Sequence, residues 1–199
     1  MSKRVIAFDL DGVLAELHNP ITAWHNRAYG TSHTVEDIRD YDLTKLWGGT
    51  IEDIKRKIGE FYQSPEFKGV IPVVGAQLGA HNLSRGNELA VITARPPSLT
   101  DETARWIEKH FPHIFSEIFF TDCIYKEDHM TSGKPGICKD LEAKLIVEDS
   151  AHEAVDCAEA GVPALLLTRP WNEDIQIPED LPVNRVPTWT GIIREAQGF

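Results

Sequence analysis

The sequence predicts an α/β fold: a parallel sheet with helices on both faces, three layers in all, and a small helical cap inserted after the first strand. Three observations predict it. Short β-rich apolar runs recur along the chain, helical patterns alternate with most of them, and one early stretch, residues 16–68, breaks that alternation. With 199 residues, 42 % hydrophobic and 26 % charged, the chain suffices for one main domain plus one insertion.

The first run, Arg4 to Phe8, leads straight into Asp9 and Asp11 in "VIAFDLDGVLAE". On extended backbone, residues two apart point to the same side, so both carboxylates face one pocket while Leu10 turns away. Gly12 permits a sharp exit. Two carboxylates this close repel, which is tolerable if a divalent cation bridges them or one keeps its proton. Oxygen-only ligands point to Mg²⁺. The competing reading is plain strand termination, since Asp is common in turns.

Residues 16–68 read as helical, with "WGGT" marking a turn before Ile51. They form the expected cap, leaving 1–15 and 69–199 as the α/β core domain. Trp24, Tyr41 and Trp47 in this stretch have two readings: a wall against which a nucleobase stacks, or the filling of the cap's own core.

Pro72 to Ser84 reads as a helix before the strand Glu88 to Thr93, which ends in "VITARPP". Arg95 there is either a substrate ligand or a surface-loop residue. A second helix, Thr100 to His110, carries Asp101 and Glu102 at its amino end. Strands follow at Glu117 to Phe120, Lys144 to Val147 and Pro163 to Thr168. In "EDSAHEAVDCAEAGVP", Ser150 and Glu153 form an S-x-x-E capping box and Gly161 a left-handed stop, fixing a helix directly after Glu148 and Asp149. The tail "IPEDLPVNRVPTW" is proline-rich, with Thr188 to Ala196 as a last helix. Ligands of open α/β sheets bind beyond the carboxyl ends of the strands, so Asp9, Thr93 and Asp149 can converge on one site.

Three lysines compete to neutralise such a site. Lys144 starts its strand, at the end of the sheet opposite Glu148 and Asp149. Lys139 lies on a different helix face from Ile137 and Leu141. Lys134 follows Ser132 and Gly133 and precedes Pro135, which suits a helix amino end beside the acids.

Together, "DLDGV", the strand-terminal Thr93, the lysine in "SGKPGICKDL" and the pair in "LIVEDS" resemble the four motifs of the haloacid dehalogenase superfamily, a Rossmann-like fold. "WGGT", "VITARPP", "KPGICKDL" and "RPWN" look most like its 5′(3′)-deoxyribonucleotidase-like branch. The resemblance implies a Mg²⁺-dependent phosphomonoesterase working through an aspartyl phosphate. Asp9 would be the nucleophile and Asp11 the general acid and base. Asp9, the main-chain carbonyl of Asp11 and Asp149 would hold the metal, with Glu148 beside it directly or through water. Thr93, the Ala94 amide and Lys134 would hold the phosphoryl oxygens. Trp24, Trp47 and Arg95 are candidates for the rest of the substrate, a small phosphorylated metabolite such as a nucleoside monophosphate. Other superfamily reactions, a sugar-phosphate phosphatase or a phosphomutase, and a non-catalytic phosphate binder are the alternatives.

A formal net charge of −11 argues against a nucleic-acid polymer as partner, because such partners are met by concentrated positive charge. Cys123, Cys138 and Cys157 have neither disulfide nor zinc spacing and read as buried small residues. "MSKRVIAFDL" shows neither a signal peptide nor a membrane span, so a cytoplasmic protein is expected.

Overall fold

The structure, a computed structural model, describes residues 3–121 and 133–198. It opens with strand β1 (Arg4–Phe8), followed by four helices, α1 (His18–Tyr29), α2 (Thr44–Trp47), α3 (Ile51–Tyr62) and α4 (Pro65–Lys68). The remainder alternates as far as β5, after which β6 follows without a helix between: α5 (Ala76–Ser84), β2 (Asn87–Thr93), α6 (Thr100–His110), β3 (Glu117–Phe120), α7 (Lys134–Asp140), β4 (Leu145–Glu148), α8 (Ala151–Glu159), β5 (Ala164–Leu167), β6 (Val183–Val186) and α9 (Trp189–Glu195).

Among the described residues, six strands form one parallel sheet in the order β3-β2-β1-β4-β5-β6. This is the doubly wound order, with its reversal between β1 and β4. Phe8 stands beside Val91 on one side and Val147 on the other, which brings the carboxyl ends of β1, β2 and β4 level. Side chains alternate across the sheet as the pleat requires. Ile6, Phe8, Val91 and Val147 pack on one face, where Phe8 stacks on Trp189 at 5.7 Å, while Ala7, Ile92 and Ile146 pack on the other.

The helices after β1 begin at local signals. Thr50 and Asp53 form a capping box at α3, and Ser64 caps α4 with Pro65 in its first turn. Trp24, Trp47, Ile54, Phe61 and Phe67 fill the space between them, and Trp24 lies 5.8 Å from the Phe61 ring.

Two elements differ from the sequence reading. The helix expected from Pro72 starts at Ala76, because the preceding segment is bound elsewhere: Val73 N–H donates to the Leu14 carbonyl and Glu16 N–H to the Ile71 carbonyl, both at 2.9 Å. Strand β6 hides in the proline-rich tail. It lies at the sheet edge, where flanking Pro182 and Pro187 are tolerated. Cys138 and Cys157 are buried as expected. The hydrogen bond to Cys138, with burial, pushes the Cys157 thiol well above its ordinary range. Cys123 and Ser132 lie outside the described residues. Among those described, no helix is long and apolar enough to cross a membrane.

Candidate active site

Asp9 leaves β1 with its N–H still bonded to the Val147 carbonyl at 2.9 Å, so its direction is set by the sheet. The chain then turns sharply. Gly12 has φ +90°, and a Cβ there would lie 1.8 Å from Asp149 Oδ2. Only glycine lets the backbone pass this close to the carboxylate. Arg169 braces the turn, its Nε and Nη2 donating to the Gly12 carbonyl at 3.0 and 2.5 Å.

The helix start chosen by Pro135 places Lys134 against the acids. Its Nζ donates to Asp9 Oδ1 at 2.6 Å and to Glu148 Oε1 at 2.5 Å, and all three groups are buried. Lys139 and Lys144 are exposed. The second Glu148 oxygen accepts the N–H groups of Asp149 and Ser150 at 3.2 and 3.3 Å. Asp149 accepts the Tyr41 hydroxyl at 2.6 Å and the Trp171 indole N–H at 3.1 Å. Asp9, Glu148 and Asp149 each offer one carboxylate oxygen, all within 4.8 Å of one another.

Three buried carboxylates face one ammonium, and the titration of each follows. Burial raises Asp9 despite Lys134, raises Glu148 well above the carboxylate range, and with the charge of Asp9 raises Asp149 to about 7. Burial pulls Lys134 down, but Asp9 and Glu148 outweigh it and hold the ammonium charged. Such an excess of buried negative charge suits a hard divalent cation.

Thr93 and Ala94 line the same cavity from the end of β2, and the Thr93 hydroxyl accepts the Arg95 N–H at 3.2 Å. Asp11 lines the cavity together with Asp9, as its spacing predicts, and its carboxylate is held in a fork by Arg95, at 2.8 and 2.6 Å. Arg95 thus lines the cavity, only 2 % exposed, but its guanidinium is already engaged with Asp11.

Above this floor the cavity, about 990 Å³ of space including its open mouth, is walled by Ile21, Ile38, Leu43, Ile58 and Tyr62. Trp171 and His18, stacked at 3.7 Å, form another side. Burial and the nearby Arg169 lower the His18 pKa to about 3, so the imidazole is neutral. The two tryptophans singled out in the sequence are elsewhere: Trp24 is packed against Phe61 and Trp47 against His25, and neither lines the cavity. Large apolar rings gain most by full burial, and the helices after β1 needed that filling. Tyr41 does line the cavity. Arg169 and Trp171 belong to the "RPWN" stretch that carried the resemblance, though the sequence assigned them no role; His18 comes to the site without a signal of its own, and Glu153 only follows Ser150 by a capping spacing. Ser150 accepts the Glu153 N–H at 3.4 Å, and the Glu153 side chain lines the cavity.

The model of the family described as "5′ nucleotidase, deoxy (Pyrimidine), cytosolic type C protein" matches residues 3–191. Two bacterial relatives are each 28 % identical: "Putative nucleotidase YqfW" of Bacillus subtilis, matched over 92 % of this chain and 89 % of its own, and "Putative nucleotidase BH1399" of Halalkalibacterium halodurans, over 92 % and 87 %. Among solved structures, a haloacid dehalogenase-like family hydrolase from Streptococcus pneumoniae superposes with a TM-score of 0.69 at 16 % identity, over 98 % of this chain and 99 % of that one. A HAD-superfamily hydrolase, subfamily IA, variant 1, from Geobacter sulfurreducens gives 0.60 at 17 %, over 98 % and 100 %. A parallel sheet in this order, closed by these motifs and matched over nearly its whole length, belongs to the type C 5′-nucleotidase family, phosphatases of haloacid dehalogenase-like fold.

Proposed function

We propose that this protein is a Mg²⁺-dependent phosphomonoesterase that forms an aspartyl phosphate on Asp9 and acts on a nucleoside monophosphate. The observation that carries the reading is the buried cluster of Asp9, Lys134, Glu148 and Asp149 at the floor of an apolar cavity. Covalent catalysis divides a difficult hydrolysis into two easier displacements. Asp9 attacks phosphorus; Lys134, Thr93 and the Ala94 N–H stabilise the phosphoryl oxygens. Asp11 protonates the leaving oxygen and then takes a proton from the water that releases phosphate.

Asp9, Asp149 and the main-chain carbonyl of Asp11 would hold the cation, with Glu148 close by. When bound, Mg²⁺ supplies positive charge against the phosphoryl group. The carboxylate oxygens of Asp9, Glu148 and Asp149 cluster closely enough to fit it, since Lys134 alone leaves these buried acids under-neutralised.

The walls favour a neutral leaving group. Among the described residues lining the cavity, the two cations, Arg95 and Lys134, are bonded to carboxylates, and Asp40 and Glu153 add negative charge. A substrate with a second anionic group therefore meets repulsion, whereas a nucleoside offers an uncharged ring to Ile38, Leu43, Ile58 and Tyr62. Residues 16–68 act as the cap over a core of 1–15 and 69–199. The family's description as cytosolic supports a cytoplasmic location.

The test is a panel of phosphomonoesters, deoxyribonucleotides and ribonucleotides included, assayed with Mg²⁺ and after chelation. Turnover that requires the metal and disappears in Asp9→Asn is expected. Full activity in metal-free buffer, or a near-normal rate in Asp9→Asn, refutes the mechanism.

A further inference from the structure

We propose that Arg95 is a positioning residue for proton transfer, holding the Asp11 carboxylate in the orientation from which it serves the leaving group, without itself touching substrate. The inference rests on the reading of Asp11 as general acid and base.

Arg95 is held on every side. Nε and Nη2 donate to the two Asp11 oxygens at 2.8 and 2.6 Å, and Nη1 to the Thr103 hydroxyl on α6 at 3.3 Å. The guanidinium carbon sits 5.1 Å from the centre of the Phe67 ring, and the main-chain N–H is bonded to Thr93. The side chain is 2 % exposed. Asp11 needs such a partner. It stands in the turn beyond β1, one residue before Gly12 at φ +90°, and Asp9 repels it. Two parallel hydrogen bonds from a planar fork fix both the place and the plane of a carboxylate, which a lysine cannot do.

A guanidinium spent on Asp11 and Thr103 has little left for a phosphate. In the step it supports, an Asp9 oxygen bonds to phosphorus and the ester P–O bond breaks, leaving its electron pair on the ester oxygen. Asp11 delivers its proton there. Misorientation should therefore cost most where the departing oxygen needs that proton.

The experiment uses the Mg²⁺-loaded protein and single-turnover release of the alcohol or phenol, which reports this step alone. One substrate is a nucleoside 5′-monophosphate, whose alkoxide needs a proton; the other is p-nitrophenyl phosphate, whose phenolate leaves without one. Arg95→Ala should slow the nucleotide by about 10²-fold and the aryl ester by less than about 10-fold, with half-saturation unchanged. Added guanidinium ion should restore Arg95→Ala and not Asp11→Asn. Asp11→Asn should show the same preference between substrates. If it slows both equally, the acid role of Asp11 fails and the proposal with it. If Asp11→Asn discriminates but Arg95→Ala slows both equally, or weakens only half-saturation as a substrate ligand would, the positioning role alone is overturned. Should Arg95→Ala not fold, Arg95→Lys, which keeps the charge and loses the fork, is read by the same criteria.

Discussion

Replacing Gly12 by alanine tests the geometry on which the whole site depends. The added Cβ would sit 1.8 Å from Asp149 Oδ2, where real Cβ contacts essentially never fall below 3.0 Å, so the carboxylate must retreat by at least about 1.2 Å. That movement breaks or stretches its bonds from Tyr41 and Trp171, each worth roughly 1.5–3 kcal/mol to a charged acceptor. Alanine at φ +90° adds about 1–2 kcal/mol of backbone strain, partly offset by about 0.4–1 kcal/mol from a less disordered unfolded chain. The net loss is about 3–8 kcal/mol, or roughly 6–30 °C in Tm for a chain of this size. A ligand displaced by about an ångström should also cost on the order of 10²-fold in kcat. Gly161→Ala separates clash from strain. Its φ is +88° with nothing within 4 Å of the new Cβ, so with the same offset it should lose at most about 1.5 kcal/mol and keep full activity. Thermal denaturation and nucleotidase kinetics on both variants give the answer. Equal Tm losses, with normal turnover in Gly12→Ala, would refute the close approach of turn and Asp149.

Lys134→Ala should lower kcat/KM by about 10²–10³-fold, while Lys139→Ala and Lys144→Ala, both exposed, stay within about 2-fold; steady-state kinetics on the three decide it. Metal-free protein should lose stability as pH rises from about 4 to about 7. Folded Asp149 keeps its proton up to about 7 whereas the unfolded carboxyl gives it up near 3.8, so the unfolded state binds fewer protons in that window. Urea titrations across this range should show the decline, and Asp149→Asn should make it shallower without abolishing it, because Asp9 and Glu148 are raised as well. Trp24→Ala should destabilise by about 3–5 kcal/mol in urea and affect all substrates alike, as befits a filled core. Ile58→Ala, on the cavity wall, should instead raise KM for nucleotides several-fold and leave p-nitrophenyl phosphate unaffected.

The sequence by itself determined the parallel α/β plan and most of the floor of the candidate site. Asp9 and Asp11 end one strand, Thr93 another and Glu148 a third, and Pro135 sets the helix start that carries Lys134; each is a local signal readable within a turn or a strand. Only the tertiary structure decided what these groups touch. Arg95 finds Asp11 across 84 positions and Tyr41 finds Asp149 across 108, and no spacing rule reaches so far. Packing also chose between the two readings of the aromatic residues. Trp24 and Trp47 went inward because burial of a large ring is favourable wherever space allows, while Tyr41 and Trp171 kept a polar atom each to bond Asp149 and remained at the cavity. The delayed start of α5 and the edge strand β6 have the same origin: residues 71–73 bind the chain at 14–16, and 183–186 bind β5, so the partner rather than the intrinsic preference fixed the local structure.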